Sequence, residues 1–230
     1  MHLTWLGHSG FRMETGGQVI LIDPWFTGNP VFPQDRKDEA VQDATAILLT
    51  HGHFDHAQDI IQLAKDTGLT VYGTFDLMNY WAQTEGIDTM GWNKGGTVRI
   101  GDVAITMVNA SHSSSLPGEG TITYGGPEVG YMIETEGRTI YLSGDTDIMA
   151  DMALVGVLHR PEIGILCAGG HFTMDMKRAA WAARKYFDLS TVVPCHYRTF
   201  PALEQSADAL RDGLPGADVR TPEVMERIEI

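Results

Sequence analysis

Cysteine is scarce in this chain: Cys167 and Cys195 are the only two in 230 residues. Two such residues do not make a disulfide framework, and both read as small apolar packing groups. Positive charge is short as well. Sixteen Lys and Arg stand against 30 Asp and Glu, for a net charge of −14. A surface of that sign repels phosphate backbones, which excludes long nucleic acid as a partner. A small anion stays compatible where a metal supplies positive charge. No apolar run approaches the roughly 20 residues that cross a bilayer, so no membrane association is expected. The opening stretch MHLTWLGHSG lacks the basic start and apolar core of a signal peptide. No linker, repeat or low-complexity tract interrupts the chain. One domain over residues 1–230 and a cytoplasmic location are expected.

What the chain has is histidine in an uneven distribution. Nine are present, and three fall within the stretch Thr50-His51-Gly52-His53-Phe54-Asp55-His56. The surrounding pattern is α/β. HLTWLG, GFRMET and QVILID read as three strands, with Gly16-Gly17 as the hairpin signal between the last two. ATAILLT is a buried strand ending at Thr50. Apolar residues at 57, 60, 61 and 64 predict a helix over 56–67, stopped by Gly68. LTVYG is a strand and 75–85 a helix. TVRIGDVAITMVNA and VGYMIETEGRTIYLSGD each read as a strand pair, turning at Gly101-Asp102 and Glu136-Gly137. EIGILCA and STVVPCH are strands. Helices are predicted over 174–187, capped by Thr173 or Asp175, and over 201–212. EVMERIEI supplies a last strand. Strand-rich halves with interleaved helices give an α/β sandwich.

On this map His51 and His53 follow the strand AILLT. His112 follows VAITMVNAS, Asp145 follows TIYLSG, and His196 follows TVVPC. Each lies just past the C-terminal end of a strand, the edge where ligands gather in α/β folds. Burying three imidazoles and a carboxylate side by side without a cation would be costly. His51, His53, Asp55, His56, His112, Asp145 and His196 therefore read as metal ligands, enough for two divalent ions with one carboxylate bridging. Imidazole and carboxylate suit zinc foremost, with manganese or iron also accepted. His2 and His159 stand alone and read as ordinary structural residues.

THGHFDH matches the HxHxDH motif of the metallo-β-lactamase superfamily, and His112, Asp145 in SGDTD and His196 in PCHY match its remaining ligands in order. LGHSGF, DPWFTGNP and GGHFTMD resemble a bacterial and archaeal group of metal-dependent hydrolases similar to ascorbate-6-phosphate lactonase. The resemblance covers essentially the whole chain. It implies a four-layer αββα sandwich with two mixed β-sheets. It also implies His51, His53 and His112 on one metal, Asp55, His56 and His196 on the other, and Asp145 as the bridge. Asp23 in LIDPW would support the site through a ligand imidazole. True β-lactamases carry a cysteine where this chain has Asp145 and are exported, so antibiotic hydrolysis is not the expected role.

The chemistry that follows is hydrolysis. Two cations lower the pKa of a shared water toward neutrality, and the resulting hydroxide attacks a carbonyl or phosphoryl centre. Asp55 would hold the water in line and pass a proton to the leaving group. His8, past the first strand, would donate to substrate or buttress a ligand, or else be a satisfied structural histidine. His171, before a helix start, would bind substrate or protonate a leaving group. Gly52 would either let the chain bend between the first two ligands or be a small residue chosen for packing. Tyr197 and Arg198 are candidates to line the pocket. Residues 26–40 and 113–128 are candidate specificity loops.

The leading reading is a hydrolase of a small ester, lactone or amide, phosphorylated or not. A phosphodiesterase acting on a small nucleotide and a diiron redox protein remain open as other classes. The partner expected is a small molecule, with association into a homo-oligomer suggested only by analogy.

Overall fold

Strands buried largely on both faces build the first sheet. Strands β1 (His2–Trp5), β2 (Phe11–Thr15) and β3 (Gln18–Ile22) form an antiparallel meander. Helix α1 (Lys37–Val41) leads into β4 (Ala46–Leu48), which is parallel to β3. Short helices α2 (Phe54–Ala57) and α3 (Ile60–Thr67) carry the chain to β5 (Val71–Thr74), and α4 (Phe75–Glu85) to β6 (Thr89–Trp92). The second sheet is made by β7 (Thr97–Ile100), β8 (Val103–Asn109), β11 (Val129–Thr135), β12 (Arg138–Leu142), β13 (Ile163–Cys167), β14 (Thr191–Cys195) and β15 (Asp218–Val219). Between β8 and β11 a two-stranded ribbon, β9 (Ser115–Leu116) and β10 (Thr123–Tyr124), stands apart from both sheets. Helices α5 (Asp151–His159), α6 (Met176–Tyr186) and α7 (Asp208–Gly213) serve the second sheet, and β16 (Arg227–Glu229) returns to pair with β1. This is a computed structural model, and it describes residues 1–116 and 121–230.

The strand orders are β16-β1-β2-β3-β4-β5-β6 and β15-β14-β13-β12-β11-β8-β7. Ile20, Ile22, Ala46 and Leu48 pack in one core with Ile105, Met107, Tyr131 and Ile133 of the second sheet. Their neighbours Leu21, Ile47 and Leu49 pack in another with Leu63 of α3 and Leu77, Met78 and Trp81 of α4. Adjacent residues thus face opposite sides, as the pleat requires. The alanines of α6 cover the second sheet. Two mixed sheets packed between helices match the expected sandwich.

Strand direction decides where the loops go. The meander makes β1, β3 and β4 run the same way. Two antiparallel pairings followed by parallel ones make β8, β12, β13 and β14 run the same way. The two sets end at one rim, because the sheets are stitched together there. The His196 amide donates to the His8 carbonyl at 3.0 Å, and the Val129 amide donates to the Thr50 carbonyl at 3.2 Å. The Tyr131 hydroxyl donates to the Leu49 carbonyl at 2.6 Å.

Two predicted helices come out differently. The one over 56–67 starts earlier and is broken after Ala57. Asp59 at the break turns its carboxylate to the Phe26 and Thr27 amides at 2.8 and 2.9 Å and to the Thr27 hydroxyl at 2.6 Å. Three bonds to a charged acceptor outweigh one turn of regular helix. The helix over 201–212 is confined to Asp208–Gly213. Residues 201–207 form turns instead, where Gln205 donates to the Phe200 and Leu203 carbonyls. Leu203 also bridges to Gly170 across the rim. Helix α6 is capped by Asp175, which accepts from the Arg178 amide at 2.7 Å. The ribbon β9–β10, strand β6 and helix α5 carry no sequence pattern that announces them. Helix α5 presents Leu154, Val157 and Leu158 to solvent, so its apolar residues do not mark a buried face. Among the described residues, no helix is long and apolar enough to cross a membrane.

Candidate metal centre

The rim collects the expected ligands from both sheets. His51, His53, Asp55 and His56 come from the end of β4 and from α2, while His112, Asp145 and His196 come from the ends of β8, β12 and β14. The Asp145 carboxylate sits at the middle. Its Oδ2 lies 3.0 Å from His196 Nε2, 3.4 Å from His56 Nε2, 3.6 Å from His112 Nε2 and 4.0 Å from His51 Nε2. His51 Nε2 and His53 Nδ1 are 3.0 Å apart, and His196 Nε2 is 3.8 Å from Asp55 Oδ2. Ligand atoms fall into three close sets: His51, His53 and His112; His51, His56 and Asp145; and His8, Asp55, His56 and His196.

Backbone conformation aims these groups. His8, Asp23 and His196 all adopt left-handed φ, of 54°, 42° and 58°. For residues with a Cβ this costs of order 1–3 kcal/mol each, and such strain gathers at functional sites. Gly169 explains how His196 is pressed into place. A Cβ there would lie 1.7 Å from the His196 carbonyl oxygen and 3.1 Å from its Nδ1. Of the two readings of Gly52, the structure favours small size for packing. Its φ is not positive, and what needs its small size is the ribbon passing over it. A Cβ would meet the Ser115 carbonyl at 3.3 Å and Gly125 Cα at 3.4 Å.

Asp23 sets the hydrogen positions on two ligands. Its Oδ2 accepts from His56 Nδ1 at 2.7 Å and from the Thr50 hydroxyl at 2.6 Å. The Thr50 oxygen then accepts from His51 Nδ1 at 3.0 Å. Both imidazoles are left with Nε2 free for a cation. Asp23→Ala should lower metal affinity by about 10–100-fold, the usual cost of losing such a partner. Titration against a chelating dye measures this, and unchanged affinity would show that the ligands hold their orientation unaided.

Burial and mutual charge shape the protonation of the cluster. Burial, with His56 nearby, holds His51 well below the usual histidine range, and burial with the neighbouring histidines lowers His53 and His112. These three are neutral at pH 7. Burial opposes a charge on His56, but Asp145 and Asp23 outweigh it and raise its pKa well above 6.5. Burial likewise opposes ionisation of Asp145, yet His196 and His56 hold it well below the carboxylate range. Asp55 is lowered too, against burial, by the hydrogen bond from His8. His56 thus lies between Asp23, 2.7 Å from its Nδ1, and Asp145, 3.4 Å from its Nε2.

The residues fit a cation. His56 Nε2 and Asp145 Oδ1 are buried without a hydrogen-bond partner among the described residues. Such groups cost about 1–3 kcal/mol each when left unsatisfied, and a cation would satisfy both. Binding would displace the His56 proton, because a ligating imidazole must be neutral. Metal uptake at pH 7 should therefore release about one proton per chain, and affinity should rise about tenfold per pH unit for each proton displaced. Calorimetry in buffers of different ionisation enthalpy reads the proton count. A count of zero would mean that His56 does not carry a proton that the cation must displace.

The other sequence candidates divide. His8 is fully buried, with Nε2 2.9 Å from Asp55 Oδ2 and Nδ1 2.9 Å from the Thr199 hydroxyl. Burial and His196 drive its pKa down to about 4. His171 is exposed, packs edge-on against Phe172, and is not in the cavity wall. Tyr197 and Arg198 do not line the cavity either. Tyr197 stacks on Trp5 at 5.3 Å, and Arg198 pairs with Glu223 at 2.8 Å. No residue of 26–40 reaches the lining. Of the loop 113–128, Ser113 lines the cavity, Ser114 accepts from the Gly52 amide at 3.0 Å, and residues 117–120 lie outside the described ones.

A cavity of about 610 Å³ opens over the cluster, floored by His53, Asp55, His112, Asp145 and His196. Phe54, Phe172, Phe200, Pro201 and Ala202 form its wall. Sequence reasoning missed these wall residues. Phe54 and Phe172 each sit beside a histidine in a quoted motif, which was the available signal.

Paired mixed sheets with a histidine–aspartate cluster at one rim define a hydrolase of the metallo-β-lactamase type. Residues 18–197 match the β-lactamase superfamily domain. The chain is 64% identical to a UPF0173 metal-dependent hydrolase of Dinoroseobacter shibae and 62% identical to one of Paracoccus denitrificans, over the full length of each. Igni18, a metallo hydrolase from the archaeon Ignicoccus hospitalis, superposes with a TM-score of 0.84 at 30% identity, covering 99% of this chain and 97% of that one. The chain belongs to the metallo-β-lactamase superfamily, among its UPF0173 metal-dependent hydrolases.

Proposed function

We propose that this enzyme uses two divalent cations to hydrolyse a small ester, lactone or amide. The supporting observation is the convergence of four imidazole Nε2 atoms within 4.0 Å of Asp145 Oδ2, a carboxylate that itself lines the cavity. His51, His53 and His112 would hold one cation, Asp55, His56 and His196 the other, and Asp145 would be shared. Zinc is the foremost candidate, and manganese or iron suits the same donors. When bound, such ions lower the pKa of a water and polarise the oxygen of the electrophile.

The chain's own groups do the rest. Asp55 lines the cavity, where its carboxylate would hold the attacking water in line. His8 fixes the direction of that carboxylate; with both ring nitrogens engaged, it is a positioning residue rather than a ligand. The substrate is a small molecule, in keeping with the cavity volume of about 610 Å³.

Elemental analysis of the purified protein, with a panel of esters, lactones, amides and bis-phosphates, tests the proposal. About two zinc or manganese ions per chain with ester or lactone turnover is the expected result. Bis-phosphate turnover alone would favour the phosphodiesterase reading, and iron without hydrolysis would favour redox chemistry. No metal under any condition would overturn the ligand assignment.

A further inference from the structure

The cavity has a polar floor and an apolar wall. Among the described residues, no polar side chain apart from the proposed ligands and Ser113 lines it, and no Lys or Arg does. The nearby guanidinium of Arg198 is taken up by Glu223 and lies over the Trp5 ring, 5.7 Å from its centre. The chain as a whole carries a charge of −14. A phosphoryl or carboxylate group on the substrate would find no counter-charge beyond the cations that perform the chemistry.

The wall, in contrast, is built and held. Phe54 and Phe172 are 48% and 53% exposed, large apolar rings kept in contact with solvent. Phe54 stands edge-on to Trp25 at 5.7 Å, and Phe200 lies 5.9 Å from the same indole. Trp25 is 2% exposed, so this row is anchored in the core. Phe172 is on the His196 side, with ring centres 6.3 Å apart. Rings held open beside a reactive centre are what a ligand's apolar arm covers, and covering them is favourable in proportion to the area removed from water.

We infer that the site takes a neutral ester or lactone with an extended apolar acyl arm. The arm lies against Phe54, Phe172 and Phe200 while the carbonyl faces Asp145 and the histidines. Water supplies the oxygen of the new acyl C–O bond. The old acyl C–O bond breaks, one proton of the water goes to the released alkoxide oxygen, and the other leaves as the acid ionises. The inference rests on the hydrolase reading above.

Ethyl esters from acetate to octanoate, followed by proton release on metal-loaded protein, test it. Small leaving groups leave only the acyl arm to fill the wall. kcat/KM should climb about two- to four-fold per CH₂ to hexanoate, the gain from burying a methylene partly or fully. Phe54→Ala and Phe172→Ala should each flatten that climb while metal content, measured in parallel, stays at the wild-type level. A phosphorylated lactone should turn over more slowly than its neutral counterpart. A flat acyl series, an unaltered climb in both variants, or preference for the phosphorylated lactone would overturn the inference and leave the hydrolase reading standing. No turnover of any ester, lactone or amide by metal-loaded protein would overturn both.

Discussion

Asp145→Asn should remove bound metal and turnover while the protein stays folded. Four imidazole Nε2 atoms lie within 4.0 Å of Asp145 Oδ2, so this one oxygen touches both proposed ligand trios. An amide keeps the volume but carries no charge with which to share two cations. The loss should exceed the about 10–100-fold typical of removing a partner behind a ligand, because Asp145 is itself a proposed donor. Folding should survive for an electrostatic reason. His56 is raised well above its ordinary pKa by burial's opponents, Asp145 and Asp23. Without the Asp145 charge, His56 sheds its proton more easily and no bare cation is left buried. Elemental analysis, turnover and circular dichroism on one preparation separate these effects. Wild-type metal content with wild-type turnover in Asp145→Asn would refute the shared-carboxylate assignment. His53→Ala should lose metal and activity in the same way.

Gly169→Ala should produce the largest loss of stability of any alanine substitution at a glycine that shapes the site. The new methyl carbon would sit 1.7 Å from the His196 carbonyl oxygen and 2.9 Å from its carbonyl carbon. Backbone atoms cannot rotate away as a side chain would. The ends of β13 and β14 must separate there, although the Ala168 amide donates to the Cys195 carbonyl at 3.0 Å just before that point. Overpacking usually costs about 1–3 kcal/mol, and a backbone clash belongs at the upper end or beyond. For a chain of this size that is a drop in Tm of roughly 6–12 °C. Metal affinity should fall as well, since the displaced residue, His196, is a proposed ligand. Gly216→Ala is the control, because nothing lies within 4 Å of a Cβ at Gly216. It should shift stability by less than about 0.5 kcal/mol. Equal melting points for Gly169→Ala and wild type would mean that the two strand ends separate at no cost.

Much of this was legible because the ligands are encoded locally. His51 to His56 are consecutive in sequence and sit on one turn after β4. The remaining ligands each follow an apolar strand, so a single rule about strand ends collects them. The strand pairs also announce themselves through glycine turns such as Gly16-Gly17. What escaped depends on contacts between distant segments. The break at Asp59 is made by amides of residues 26 and 27. The unwinding of 201–207 is stabilised by a bridge between Gly170 and Leu203. The use of Gly52 depends on a ribbon more than 60 residues away, and the aromatic wall joins rings from positions 54, 172 and 200. Periodicity reports on neighbours in the chain, and none of these is one.

The ligands are split between the two sheets, His51 to His56 on one and His112, Asp145 and His196 on the other. A cation held by both is a rivet across the sandwich, linking halves that separate only if it leaves. Its free energy of binding then adds to the resistance against opening, by about 4 kcal/mol at a thousandfold excess over Kd. The lifetime of the protein in a proteolytic environment would track the supply of metal. A cell short of that metal would lose the enzyme itself as well as its activity.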